Sequence, residues 1–355
     1  MQNTRDIRSA PVRVAMDAMG GDHGPIETVR GALTAAKADN VEIILVGDQG
    51  PVEDELAKHD TTGISISVVP SEGKVGDDEH PLQAMRTKPN SSVVVATKLV
   101  KSGDADVMVS MGSTGGSMVS AVLNLGLMPG LDRPCIGGPF LGLAPNTVLM
   151  DIGANIDCRP ALLLNFASLG VSWARTYMGI ENPRVALLSV GSESTKGNKQ
   201  VQEAYQVFQD SGMNFVGNVE GKQIFAGAAD VVVADGFTGN IAIKITEAVA
   251  AMMGSMIKRA MMSSPLAMLG GLLARTAIKR VERQLDPDEY GGAPLLGING
   301  VAIVGHGRSN GRAIRSAIKV ALTAHNQEIL KEIQRVGKGK SFITLGKNSK
   351  LSLLE

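Results

Sequence analysis

The sequence predicts an α/β fold, a three-layer α/β/α arrangement around a mostly parallel sheet. Three observations lead there. A short apolar strand, a glycine-rich turn and a helix recur six times, and such units build parallel sheets with helices on both faces. The 42 glycines in 355 residues, roughly 12% against a usual ~7%, collect in those turns. Hydrophobic residues make up 44% and charged residues 20% of the chain, so a sizeable core can be buried. No Ser/Pro-rich linker or charge block cuts the chain. Residues 1–355 therefore read as one α/β catalytic unit, with a division into two lobes left open.

Taken in order, residues 1–11 read as a loose leader, without the apolar stretch of a signal peptide. Val12–Met16 is apolar and predicts the first strand, and Pro25–Lys37 the first helix, with proline in its permitted first turn. Val41–Val46 predicts a strand, Pro51–His59 a helix, and the alternation in Ile64–Val69 another strand. The polar stretch Ser71–Pro81 predicts a surface loop, followed by helices at Leu82–Arg86 and Ser91–Lys101. Val107–Met111 opens the second unit, DVMVSMGSTGGSMVSAVL. CIGGPFLGLAPNTVLMDIG predicts a hairpin turning at Ala-Pro-Asn, and its second strand starts the third unit, TVLMDIGANIDCRPALLL. Ala161–Tyr177 is a long apolar helix carrying the sole tryptophan, Trp173. Arg184–Phe208 is the clearest copy, with Val185–Val190 as a buried strand and a helix from Asn198 onward. Asp230–Met253 and the segment from Gly300, GVAIVGHGRSNGRAIRSAIKVA, complete the six.

Gly239–Gln284 departs from this pattern. Ile245, Ala248, Val249, Met252, Met253 and Met256 keep helical spacing, Ser263–Pro265 interrupts, and a second helical stretch resumes. Lys258, Arg259, Arg275, Lys279, Arg280 and Arg283 accompany it. Residues 239–284 predict protruding amphipathic helices. Met261, Leu266, Leu269, Leu272 and Leu273 belong to a buried helical hairpin or a dimer seam, or meet a membrane surface, where cations face anionic lipid, and a dimer could present two such tips. No uncharged run reaches the ~18 residues of a membrane span. The irregular basic tail from Val336 is expected to fray.

Composition narrows the partners. Lysine plus arginine balance aspartate plus glutamate at 35 each, and aromatics are 3%. Nothing there favours nucleic acid. Cys135 and Cys158 suit a reducing compartment and form neither a disulfide framework nor a metal cluster. There is no Walker A loop, GxSxG elbow, HExxH or paired CxxC, and Gly305, Gly307 and Gly311 are spaced one residue too far for a dinucleotide fingerprint.

The turns carry the chemistry. In parallel α/β sheets the turns at the carboxyl ends of the strands form the ligand crevice. A helix N-terminus favours an anion, and glycine admits close backbone approach. Lys196 in GSESTKGN is either a charge beside such an anion or a solvated turn lysine. Asn240 in DGFTGN is either an amide donor to a developing oxyanion or a helix cap. Asp22 and His23 lie in GGDHGP with Gly20 and Gly21, and His306 sits similarly in GHGRSNG. Either histidine acts on an anion or a proton, or is merely solvated. Gly112, Ser113, Thr114 and Gly115 form a candidate phosphate nest. Arg159 beside Cys158 would lower a thiol pKa, unless the cysteine is structural.

Six segments, MDAMGGDHGP, MGSTGG, DIGANIDCRP, LLSVGSESTKGN, VVADGFTGNIAIK and YGGAPLLGINGVAIVGHG, stand in this order from Met16 to Gly307. Together they closely resemble the bacterial acyl-ACP:phosphate acyltransferases, the PlsX family of phospholipid synthesis. The resemblance spans nearly the whole chain. It implies a fold like isocitrate/isopropylmalate dehydrogenases and transfer of a fatty acyl group from acyl carrier protein to inorganic phosphate, without metal or cofactor. It also implies a cytoplasmic homodimer at the inner face of the membrane, supplying a membrane glycerol-3-phosphate acyltransferase. The family's catalytic lysine and asparagine match Lys196 and Asn240. Asn198 and Asp235, in the same two motifs, join the substrate-binding candidates. The competing expectations are a coenzyme A-dependent phosphotransacetylase, an NAD-linked decarboxylating dehydrogenase and a non-catalytic carrier-protein or membrane scaffold.

Overall fold

The structure, a computed structural model, describes residues 10–140 and 144–339. The expected leader up to Ser9 and the tail from Lys340 lie outside the described residues, while the start of the expected irregular tail, Val336–Gly339, is the end of a helix. Two compact units are built from a chain that leaves the first and returns to it: Met1–Gly126 with Gly291–Asn326, and Leu127–Tyr290 with Gln327–Glu355.

The first unit runs β1 (Val12–Asp17), α1 (Ile26–Ala38), β2 (Val41–Gly47), α2 (Gln49–Leu56), β3 (Ile66–Pro70), α3 (Pro81–Thr87), α4 (Ser92–Ser102), β4 (Val107–Ser110) and α5 (Thr114–Leu125). The second runs β5 (Cys135–Phe140), β6 (Ala144–Met150), α6 (Pro160–Met178), β7 (Val185–Leu188), α7 (Lys199–Asp210), β8 (Phe215–Val219), α8 (Gly221–Phe225), β9 (Val231–Val233), α9 (Gly236–Met261), α10 (Pro265–Leu273) and α11 (Arg275–Leu285). The chain then supplies β10 (Gly292–Leu296), β11 (Val301–Gly305) and α12 (Gly311–Asn326) to the first unit and α13 (Ile329–Gly339) to the second. All six strand–turn–helix units predicted from the sequence are present.

In the first unit the strand order is β3-β2-β1-β4-β11-β10, parallel except for β10, which runs antiparallel to β11. α1 packs on α12 and α4 on α5. Val107–Ser110 is buried at every position, as strands covered on both faces must be. In the second unit the order is β5-β6-β9-β7-β8. β6, β9, β7 and β8 are parallel, and β5 pairs antiparallel with β6. The core of this unit centres on Phe140, Leu149, Ala186, Val219, Ile224 and Val232. Trp173 on α6 is fully buried and stacks on Tyr177 with ring centroids 4.7 Å apart.

One clamp recurs in both units at the amino ends of adjacent parallel strands. Arg13 binds Asp106 through its backbone N–H (2.8 Å) and through Nη2 (2.7 Å). Arg184 binds Asp230 in the same way, at 2.7 Å from the backbone and 2.9 Å from Nη2. Burial alone would raise both carboxyls, but the arginine bonds outweigh it and hold each below its ordinary range. A depressed carboxyl adds stability above its unfolded-state pKa, and that stability is lost as pH falls.

Three expectations are corrected. β7 stops at Leu188, and Val190 is exposed rather than buried, because the register with β9 ends at Leu187 and that with β8 at Leu188. The hairpin is present, but Ala144–Asn146, expected as its turn, opens β6. Ala144 pairs with Phe140 where the ladder shifts register. The stretch after Pro265 is two helices, not one, meeting at Ala274. β8, α8, β10 and α13 had no counterpart in the sequence reading.

The interruption at Ser263–Pro265 is where the sequence places it. Ser264 caps α10 by accepting from the Ala267 N–H at 3.2 Å, and Pro265 takes the first turn. Leu266, Met268, Leu269, Leu272 and Leu273 are all exposed, Leu273 by 82%. Met261 is only partly exposed and packs against Gly271. α9 is the one described helix long and apolar enough to cross a bilayer by length and composition alone, with a mean hydropathy of 1.2 over its most apolar window.

Candidate active site

In each unit the glycine turns leave the carboxyl ends of neighbouring parallel strands. In the first unit these are the turns after β1, β4 and β11. The first two are knitted together by Asp17, the last residue of β1 and 2% exposed. Its Oδ1 accepts from the Gly20 N–H at 3.0 Å and its Oδ2 from the Ser110 hydroxyl at 2.6 Å. Ser110 Oγ in turn accepts from the Gly112 N–H at 3.0 Å. A Cβ on Gly20 would stand 2.7 Å from Asp17 Oδ2 and 2.8 Å from the Gly112 nitrogen, so only glycine fits there. The Asp22 N–H donates to the Gly307 carbonyl at 2.7 Å, and Lys74 Nζ to the Gly21 carbonyl at 2.7 Å.

Gly20, Gly21, Asp22, Gly112 and the turn holding His306 are thus gathered. His23 and His306 are exposed. Ser113 heads α5, its Oγ accepting from the Gly116 N–H at 3.3 Å. Thr114 and Gly115 form the first turn of that helix, whose leading N–H groups have no intrahelical acceptor.

In the second unit the turns follow β6, β9 and β7. Asp151 directly follows β6, is fully buried and takes four donors. They are the backbone N–H groups of Gly153 (3.0 Å), Ala154 (2.9 Å) and Asn155 (2.8 Å), and Asn155 Nδ2 (2.7 Å). The Asn155 carbonyl accepts from the Gly236 N–H at 2.6 Å, at the start of α9. Asp235 caps α9, accepting from the Thr238 N–H at 2.8 Å and its hydroxyl at 3.0 Å. Asn240 is therefore not the cap. It lies in the second turn of α9, half-buried, with its carboxamide against Gly153.

Lys196 stands in the turn between β7 and α7, with its side chain exposed and running beside Gly191. Asn198 caps α7, its Oδ1 accepting from the Val201 N–H at 2.9 Å. The turn is fixed by Asn218 Nδ2 donating to the Glu193 carbonyl at 2.8 Å and by Gln202 Nε2 donating to the Thr195 and Gly197 carbonyls. Because Leu187 pairs with Val233 across β7 and β9, the turn bearing Lys196 and the start of α9 bearing Asn240 leave the same edge of the sheet from adjacent strands.

Asp17 and Asp151 were not singled out in the sequence reading. The signal was there: each closes a buried strand as a Met-Asp pair before a glycine turn. Burial raises both carboxyls, more than their hydrogen bonds lower them. A folded-state pKa above the unfolded one favours the fold in acid, and that contribution is lost as pH rises through the raised value. Near neutrality these groups therefore hold turn geometry at a cost in stability. Lys74, from the loop after β3, was also missed; nothing local marks it.

Cys158 is buried, its thiol against the Asn155 carbonyl at 3.4 Å. Burial, with the nearby charges of Asp151 and Asp235, pushes its pKa up to about 12. Arg159 lies 3.7 Å from Asp132 in an ion pair and does not activate the thiol. At pH 8 about one thiol in 10⁴ would be thiolate at that pKa. Iodoacetamide is therefore expected to leave Cys158 unlabelled in the folded protein. Rapid labelling seen by mass spectrometry would contradict its burial.

Among solved structures, a phosphotransacetylase from Streptococcus pyogenes superposes with a TM-score of 0.58 at 17% identity, covering 90% of this chain and 94% of that one. The EutD phosphotransacetylase from Staphylococcus aureus gives 0.56 at 17% identity, covering 89% and 94%. These likenesses establish the α/β fold. The family described as "Fatty acid synthesis protein" matches residues 12–332. The phosphate acyltransferase of Desulfitobacterium hafniense is 43% identical over 325 residues, 91% of this chain and 97% of that protein. That of Heliobacterium modesticaldum is 44% identical over 331 residues, 93% of this chain and 98% of that protein. With the strand–turn–helix units and their glycine turns all present, and with identity of this extent along almost the whole chain, the protein belongs to the phosphate acyltransferase family.

Proposed function

We propose that this acyltransferase moves a fatty acyl group from acyl carrier protein to inorganic phosphate. A phosphate oxygen attacks the thioester carbonyl carbon and the carbonyl becomes an oxyanion. On collapse the C–S bond breaks, giving acyl phosphate and the carrier thiolate, which takes a proton from solvent. Phosphate needs no strong base, since a phosphate ester's second pKa is ~6, and a thiol of pKa ~8.5 departs readily. Positioning and charge stabilisation remain, each able to supply several powers of ten.

In this reading Asn240 Nδ2 donates to the thioester oxygen, and the Lys196 ammonium offsets the charge on phosphate or oxyanion. The turns Gly20–His23 and Gly112–Gly115 bind phosphate, with Asn198, Asp235 and His306 shaping the substrate-binding turns. The observation that carries the reading is the pair of adjacent parallel strands, β7 and β9, delivering Lys196 and Asn240 to one sheet edge.

The exposed leucines of α10 support a peripheral contact with the inner face of the cell membrane. There a poorly soluble acyl phosphate would pass to the membrane glycerol-3-phosphate acyltransferase. The same helices would pair two copies of the chain. An acidic carrier protein would dock where Lys279, Arg280 and Arg283 outnumber Glu289 around a cavity of about 610 Å³ that Thr276, Gln284 and Tyr290 complete. The deciding assay mixes the protein with palmitoyl-carrier protein and phosphate and follows both free thiol and acyl phosphate. Phosphate-dependent appearance of both is expected. Turnover of palmitoyl-coenzyme A but not the carrier thioester would favour the phosphotransacetylase-type reaction, and neither product would remove the reading.

A further inference from the structure

Asp151 is fully buried, yet no reaction step described above uses it. Its carboxylate has no water-facing side, so its geometry is set by the four N–H donors from residues 153–155. That number of directed bonds on one buried carboxylate closes the 151–155 turn into a rigid loop. The loop is keyed into the first two turns of α9 at three points. The Asn155 carbonyl takes the Gly236 N–H at 2.6 Å. A Cβ on Gly239 would stand 1.8 Å from the Asp151 carbonyl oxygen, so helix and loop touch backbone to backbone. Gly153, at φ +139°, lies beside the Asn240 carboxamide, whose Cγ is 3.5 Å from where a Gly153 Cβ would be. Asn155 Nδ2 also donates to the Pro134 carbonyl at 2.8 Å, anchoring the loop on the side of β5.

We infer that Asp151 is a positioning residue for the acyl-transfer step: through the 153–155 turn it fixes the direction in which Asn240 presents its amide. This rests on the assignment of Asn240 as the donor to the thioester oxygen. An amide donor aids catalysis only when it is held where the oxyanion will form, and an error of 1 Å can cost ~10² in rate. An asparagine at 151 would turn an NH₂ toward either the Gly153 and Ala154 N–H groups or those of Asn155. Donor would then face donor, and the turn would shift.

The test is a double-mutant cycle on the full-length protein. Asp151→Asn is expected to lower kcat at least tenfold, with KM for phosphate changed less than twofold. In an Asn240→Ala background the same substitution should change kcat by less than twofold, because the amide it positions is gone. Losses that multiply independently, or an unchanged kcat in Asp151→Asn, would overturn the inference. If Asp151→Asn does not fold, Asn155→Ala removes one side-chain donor to Asp151 and leaves the backbone bonds. It should show a smaller kcat loss, about threefold to tenfold, with the same disappearance in the Asn240→Ala background. Should Asn240→Ala itself keep full kcat, the donor assignment fails first, and it is that single variant which reports it.

Discussion

Asn240→Ala is expected to lower kcat by two to three powers of ten while circular dichroism and thermal unfolding stay close to the parent's. Removing one preorganised donor to an oxyanion typically costs 10²–10³ in turnover. The fold should tolerate the change because the cap of α9 is Asp235, not Asn240. The side chain is half-buried against Gly153, so truncation leaves a small gap beside the second turn of α9 and no stranded buried charge. Lys196→Ala should fall at least tenfold, again without loss of structure, since the lysine side chain is exposed and the turn is held by Asn218 and Gln202. Steady-state assays with palmitoyl-carrier protein at saturating phosphate read both effects. Turnover within threefold of the parent in either variant would strip that residue of its role.

The second large effect is on the membrane contact. Leu269→Glu combined with Leu273→Glu should weaken binding to phosphatidylglycerol-containing liposomes by about 10² or more. Burying one leucine is worth roughly 1.5–3 kcal/mol, and two glutamates add repulsion from an anionic surface. Both positions are exposed, and α10 contributes no buried residue. Activity on soluble acyl-carrier protein should therefore be kept. Flotation with liposomes measures the first quantity and the solution assay the second. If flotation is unchanged and light scattering instead shows a dimer falling apart, the leucines of α10 are a subunit seam.

Much of this molecule was legible one residue type at a time. A run such as Val107–Met111 followed by GSTGG and then SMVSAVL announces strand, turn and helix, because apolar periodicity and glycine act over a few residues. The positions of Lys196 in a turn and of Asn240 just beyond one belong to the same local code. Asn198 and Asp235 were legible as turn residues, but their capping bonds to Val201 and Thr238 emerged only once α7 and α9 had definite first residues.

The remaining features depend on partners far away in sequence. Whether Val190 is buried depends on where β8 and β9 stop pairing with β7. Whether Cys158 is reactive depends on the burial and the carboxylates around it, which overrule the neighbouring Arg159. Asp17 reaches Ser110, 93 residues away. The turn that Asp151 closes meets Gly236 and Asn240, some 80 residues further on. Local pattern could set the class of fold and the chemistry of the turns because both follow from short-range sterics and hydrogen bonding. Which buried carboxylate braces which turn was decided by the tertiary structure, because that rests on sheet register and close backbone approach, which no short stretch of sequence encodes.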